Sequence, residues 1–208
     1  MIRLYLVVEG PTEEQFAKAL IVPHLAKLEV WTRPVIVTTS RDRSTGRKTK
    51  GGGRWSAWKR DFRTLLASDR DAAVRFSTLF DLYGLPADFP GVAPKQAGET
   101  PESRAQRLET EMAGDLGDSR LIPYLQVHEF ETYIFVDLGR LEALLDPQDR
   151  PGLDTLRRSV AGLGPEEINE GATTAPSKRL LMHLPVYQKA VHGPLVTEAI
   201  GLDRIRAA

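Results

Sequence analysis

The chain has 208 residues, 28 Lys and Arg against 28 Asp and Glu, 41% apolar residues, 7% aromatic residues and no cysteine. That is enough apolar material for a real core, so disorder and fibrous repeats are excluded, and the length allows one ordinary domain with or without a small appendage. The lack of cysteine rules out a disulfide framework, a thiolate zinc site and a cysteine nucleophile, and it fits a reducing compartment. No apolar run approaches the ~18 residues of a membrane helix. The opening MIRLYLVVEG runs from a short apolar stretch straight into an acid, the pattern of a strand and not of a signal peptide. A cytoplasmic protein without a membrane partner is therefore expected.

Ile2 to Val8 is an almost continuous apolar run and reads as a strand covered on both faces. A turn at Gly10-Pro11 leads into a helix with Thr12 as a candidate N-cap, and Pro23 should kink or restart it. Val35 to Thr39 is short and β-branched, hence a second strand. Ser40 to Gly53 holds Gly, Thr and cations without an apolar anchor, so residues 40–54 are expected to form a mobile basic loop. Trp58, Phe62, Leu65 and Leu66 share one face of a helix over about 56–67. Val74 to Phe80 forms a third strand ending at Asp81, and a Pro/Gly loop follows. Thr100-Pro101 caps the next helix. Leu121 to Val127 is a fourth strand, and Glu129 to Leu145 is mostly helical with a restart at Asp137. Short helices fill 146–208, read as a helical C-terminal appendage on a single domain. The alternation predicts an α/β fold with a mainly parallel sheet flanked by helices.

Zero net charge conceals a polarised chain. Between Arg33 and Arg60 stand nine cations and one acid, Asp42, so this segment carries +8 and the remainder −8. Cations interleaved with Trp55 and Trp58 suit phosphate neutralisation and base stacking. Trp58, on the apolar helix face, is better read as core; Trp55 fits either reading.

In open α/β sheets the ligand site lies outside the carboxyl ends of the strands. Those ends carry acids here: Glu9 after the first strand, Asp81 on the third, and His128, Glu129 and Glu131 after the fourth, with Glu13 four residues beyond Glu9. Each alone could be a helix cap or a solvated strand end. Together they would repel unless a divalent cation neutralised them, and such oxygen donors suit Mg²⁺ or Mn²⁺. The carboxylates of Glu9 and Asp81 are expected within about 6 Å of each other, converging with the 128–131 turn. Other motifs fail: GPTEE lacks the second Gly and the Lys of a P-loop, HEFET has Thr132 where a zinc protease needs a second His, and Gly51-Gly52-Gly53 reads as plain flexibility. His24, His183 and His192 are scattered and carry no constellation.

The stretch VVEGPTEEQF resembles the opening motif of Toprim nuclease domains, especially those of the overcoming-lysogenization-defect type. The fuller pattern VEGPTEE, TLFDLYGLPADFPG, IPYLQVHEFETYIF, APSKRL and YQKAVHGPLVTEAIGLDRIR more closely resembles the bacterial family catalogued as domain of unknown function 4276, here placed among Toprim-like proteins. The likeness covers essentially the whole chain. It implies a Toprim-like fold, metal-dependent nuclease activity on DNA or RNA, and the company of a neighbouring ATPase in phage-defence or mobile-element settings, with a homodimer as a further assembly to consider. Carried over by motif, Glu9 is the principal catalytic or metal-binding acid, Glu13 its helical companion and Asp81 the first acid of the Toprim Asp-x-Asp pair. The second acid of that pair is Tyr83 in this chain. Glu129 or Glu131 replaces it, or the site holds metal weakly, or the fold persists without nuclease activity.

The expected enzyme therefore uses Glu9, Glu13, Asp81, His128, Glu129 and Glu131, with metal on Glu9, Asp81 and an acid of the 128–131 turn. Phosphate contacts fall to Arg41, Arg43, Arg47, Lys48, Lys50 and Arg54, with Lys178, Arg179 and Lys189 in reserve. The alternative is a non-catalytic, nucleic-acid-binding partner of an ATPase. A metal-dependent phosphatase or nucleotidyl enzyme on a small substrate would leave the basic loop without a role.

Overall fold

The structure, a computed structural model, describes residues 1–37, 53–93, 96–168 and 174–208. The chain divides into two compact units, residues 1–18 with 22–127, and residues 19–21 with 128–208. The helical C-terminal part thus begins at His128 and takes in the helical 129–145 segment as well as 146–208.

The first unit is built on strands β1 (Ile2–Val8), β2 (Val30–Ile36), β3 (Val74–Asp81), β4 (Leu121–Ile122) and β5 (Leu125–Gln126). Their order is β2-β1-β3-β4, with β5 also on β3, and every pairing is parallel. The expected second strand starts earlier than its β-branched residues suggested. Pro34 sits inside it, which an edge strand tolerates because one row of its N–H groups needs no partner. The expected fourth strand is broken at Pro123-Tyr124. There the buried Thr78 hydroxyl takes over from the ladder, accepting from the Tyr124 N–H at 2.8 Å and donating to the Tyr124 carbonyl at 2.7 Å.

After β1, α1 (Pro11–Phe16) starts on Gly10, not Thr12: Gly10 is the cap residue in extended conformation, Pro11 is the first helical residue, and Thr12 is buried. The helix then widens to a π-helical turn over Ala17–Ile21 before α2 (Val22–Ala26). Pro23 is the cause, since it has no N–H to offer the preceding turn, and the Val22 N–H bonds back to Ala17. Helices α3 (Trp55–Ser68) and α4 (Pro101–Leu116) carry the first core. Trp55, Trp58, Phe62 and Leu66 of α3 and Ala105, Leu108 and Met112 of α4 pack with Val7, Val74, Phe76 and Phe80 of the sheet. The expected cap of α4 is present, with Thr100 accepting from the Ser103 N–H at 3.2 Å.

At the amino edge of this sheet the charges are paired. Arg3 bonds Asp69 at 3.1 Å and Asp71 at 3.0 Å, and Arg120 reaches Asp118 at 2.7 Å while donating to the carbonyls of Leu66 and Asp69.

The second unit begins with a 3₁₀ helix, Phe130–Val136, followed by α5 (Leu138–Glu142), where Asp137 caps the restart by accepting from the Gly139 N–H at 3.0 Å. Helices α6 (Arg150–Ser159), α7 (Pro176–His183), α8 (Lys189–Ile200) and α9 (Leu202–Ala207) follow. They close a separate core of Ile134, Leu141, Leu153, Leu156, Leu180, Leu184, Val196 and Ile200. Gly152 lets α6 approach α7, because a Cβ there would run into the His183 carbonyl oxygen.

Candidate functional site

A sheet of order β2-β1-β3-β4 has its switch point between β1 and β3: the chain leaves β1 toward β2 on one side and returns to build β3 on the other. Crossovers run in opposite directions from that point, which opens a crevice above the carboxyl ends of the two strands. Glu9 and Asp81 stand there. Glu9 Oε1 accepts from the Asp81 backbone N–H at 2.7 Å. Asp81 turns its own Oδ1 back to accept from the Tyr83 N–H at 2.9 Å, an Asx-turn that fixes the end of β3. The Gly84 N–H closes the same turn on the Asp81 carbonyl at 3.1 Å. A Cβ placed on Gly84 would lie 3.5 Å from both Glu9 Oε2 and the Asp81 Cβ, so the two acids border one small space. Glu13 lies in the first turn of α1, its Oε2 3.3 Å from where a Gly10 Cβ would be.

Two acids bordering one space are of the donor type that suits a hard cation such as Mg²⁺, which takes one or two protein carboxylates and completes its shell with water and substrate phosphate. Among the described residues no group of three or more His, Asp and Glu side chains is placed to hold a metal ion. Tyr83, two residues after Asp81, is 51% exposed.

The remaining expected acids belong to the second unit and have structural partners there. Glu129 accepts from both the Ser177 N–H at 2.8 Å and the Ser177 hydroxyl at 3.1 Å, which places its charge at the amino end of α7. Glu131 is only 4% exposed, and its Oε2 lies 3.5 Å from Lys189 Nζ. Burial pushes the Glu131 carboxyl above the usual glutamate range, while the Lys189 ammonium pulls it back. Lys189 also stands over the Phe130 ring at 5.6 Å. Lys189, a reserve candidate for phosphate in the sequence, thus faces Glu131 while its side chain stays partly exposed. Three quoted stretches, HEFE, PSKR and YQKA, thus meet around these contacts. His128 is half-buried in the bend before the 3₁₀ helix. Arg179 donates to the Thr174 carbonyl at 2.9 Å, and Lys178 is exposed.

Of the basic candidates in the first unit, Arg41, Arg43, Arg47, Lys48 and Lys50 lie outside the described residues. Arg54 is exposed at the start of α3. Lys59, Arg60 and Arg63 continue along that helix beside an open recess of about 850 Å³, where Lys59 bonds Asp115 at 2.7 Å. Trp55 is not available for stacking on a base. It is 5% exposed, packs edge-on against Phe89 at 4.8 Å and donates its indole N–H to Asp115 at 2.7 Å. Asp115, Ser177 and Gly84 escape a sequence reading because each acts through a partner far away in the chain; only the presence of Ser177 and Gly84 inside quoted motifs pointed to them.

A parallel α/β unit with acids at its switch point is the class that fold and site define. Residues 8–208 match the family described as Domain of unknown function (DUF4276), and the chain belongs to that family. No curated protein and no solved structure matches it. Among the described residues no helix is long and apolar enough to cross a membrane.

Proposed function

We propose that this chain is a Toprim-like, Mg²⁺- or Mn²⁺-dependent nuclease that hydrolyses phosphodiester bonds of DNA or RNA, in a phage-defence or mobile-element system that includes an ATPase. The observation that carries this reading is the pairing of Glu9 with Asp81 at the switch point, where a strand-end acid of β1 accepts from the backbone of a strand-end acid of β3. Glu9 and Asp81 would hold the cation, whose chemistry when bound is to polarise a phosphoryl oxygen and lower the pKa of water. The Tyr83 and Asp81 N–H groups orient the two carboxylates before any substrate arrives. Arg54, Arg60 and Arg63 offer phosphate neutralisation on the same unit, as the basic segment 41–54 does in the sequence.

Tyr83 favours a second reading, a non-catalytic subunit that binds nucleic acid for an ATPase, because the site then has one acid fewer than the resemblance calls for. Labelled DNA and RNA incubated with the purified chain in Mg²⁺ or Mn²⁺, with and without the neighbouring ATPase, separate the two. Cleavage that disappears in Glu9→Gln supports the nuclease. Binding without cleavage under every condition supports the subunit.

A further inference from the structure

Next to the acid pair lies a pocket of about 420 Å³, lined by Gly53, Arg54, Gly84, Leu85, Pro86 and Asp88, with Ala87 at its wall. Gly84 belongs to both places: its backbone lines the pocket, and a Cβ on it would lie 3.5 Å from Glu9 Oε2. The two walls are fixed to each other. Asp88 Oδ1 accepts from the Trp55 N–H at 2.7 Å, the Trp55 ring rests on Phe89, and the Phe89 N–H closes on the Pro86 carbonyl at 2.9 Å. Gly84 therefore borders both the acid pair and the pocket that Arg54 lines. Arg54 is exposed, and its side chain makes no capping hydrogen bond to its own helix. Besides apolar walls the lining holds one cation, Arg54, and one acid, Asp88, whose Oδ1 is taken up by the Trp55 N–H; such a pocket suits a small ligand with an anionic end on Arg54 and a flat, weakly polar body.

We propose that this pocket seats one nucleotide unit, its phosphate on Arg54 and its sugar and base against Leu85 and Pro86. Resting on the nuclease reading, this assigns the pocket to the nucleotide neighbouring the bond that is cut. The same chemistry could come from a free mononucleotide or from a residue within a strand.

The test titrates thymidine 5′-monophosphate, a labelled oligo-dT strand and inorganic phosphate into the full chain in EDTA, so that neither metal nor cleavage contributes. Wild type should bind the mononucleotide and the strand. Arg54→Ala should weaken both about ten- to hundredfold, the worth of a charge-assisted hydrogen bond, and Arg54→Lys should recover part of the loss. An unchanged unfolding temperature in Arg54→Ala would exclude a folding defect. Retained strand binding with lost mononucleotide binding in wild type assigns the pocket to strand residues alone. No saturable binding by wild type, equal binding by Arg54→Ala, or inorganic phosphate competing as well as the mononucleotide would each overturn the proposal. The nuclease reading is judged separately, by metal-dependent cleavage: cleavage with Arg54-independent binding sinks only the pocket, and Arg54-dependent binding without cleavage sinks only the nuclease.

Discussion

Glu9 and Asp81 in the first unit, and Glu129 and Glu131 in the second, all follow strands in the sequence, yet their surroundings treat them differently. The first pair meets backbone N–H groups and borders a glycine, with Glu9 Oε2 3.5 Å from where a Gly84 Cβ would be. The second pair is consumed locally: Glu129 holds the amino end of α7, and Glu131 is buried against Lys189. An acid fixed by backbone donors is held in position at the strand end, which suits binding an external ion. An acid matched to a lysine has little charge left to offer.

The largest effect expected from this contrast is on turnover. Glu9→Gln keeps side-chain size and an acceptor for the Asp81 N–H but removes the charge, and losing such an electrostatic contribution costs about 10²-fold or more in rate. Thermal unfolding of the variant should match wild type, and undiminished cleavage would break the comparison at its first member.

On stability the order reverses. Lys189→Ala leaves the Glu131 carboxylate buried without its cation. We expect a loss of about 2–3 kcal/mol by denaturant unfolding, below the ~3–5 of a fully buried pair because Lys189 is half-exposed and Glu131 can take up a proton instead. No measurable change would mean that Glu131 is already protonated.

Much of the first unit was legible because its signals are local. Alternation in β3, the apolar face of α3 and the Thr100-Pro101 start of α4 each declare themselves within a few residues, and the strand-end rule then placed Glu9 and Asp81 on one edge. The second unit was not legible in this way. HEFE following a strand looks like the other strand-end acids, and only the fold brings Lys189 and Ser177 to it. Trp55 sits among cations in sequence, but Asp88 and Asp115 draw it inward. Strand β2 was misplaced because its apolar residues are interrupted by Arg33 and Pro34, the signature of an edge.

A pH series sharpens the contrast next. The folded Glu131 carboxyl is raised by burial, so its protonated form is favoured by folding. Its contribution to stability is complete below the ordinary glutamate value and is lost as pH rises through the raised one. The stability of wild type relative to Glu131→Gln should therefore fall with rising pH across that window and level off above it. A flat difference would show that Lys189 fully offsets the burial.

The smallest effect is expected from Ser177→Ala, which removes the hydroxyl bond to Glu129 but keeps the backbone one. A loss of about 0.5–1.5 kcal/mol in chemical denaturation is anticipated, and a larger one would mean that Glu129 holds more than the end of α7.

The place of β1 in the sheet has a consequence for biosynthesis. Among the described strands β1 comes first in the chain yet lies inside the sheet, and its partners on either side arrive only with Val30–Ile36 and Val74–Asp81. Parallel neighbours cannot be reached through a tight hairpin, so the apolar segment Leu4–Val8 must wait, unpaired on its second edge, while some seventy residues are made. During that interval its open edge is free to mispair, and the acid pair at the switch point cannot exist until the wait is over.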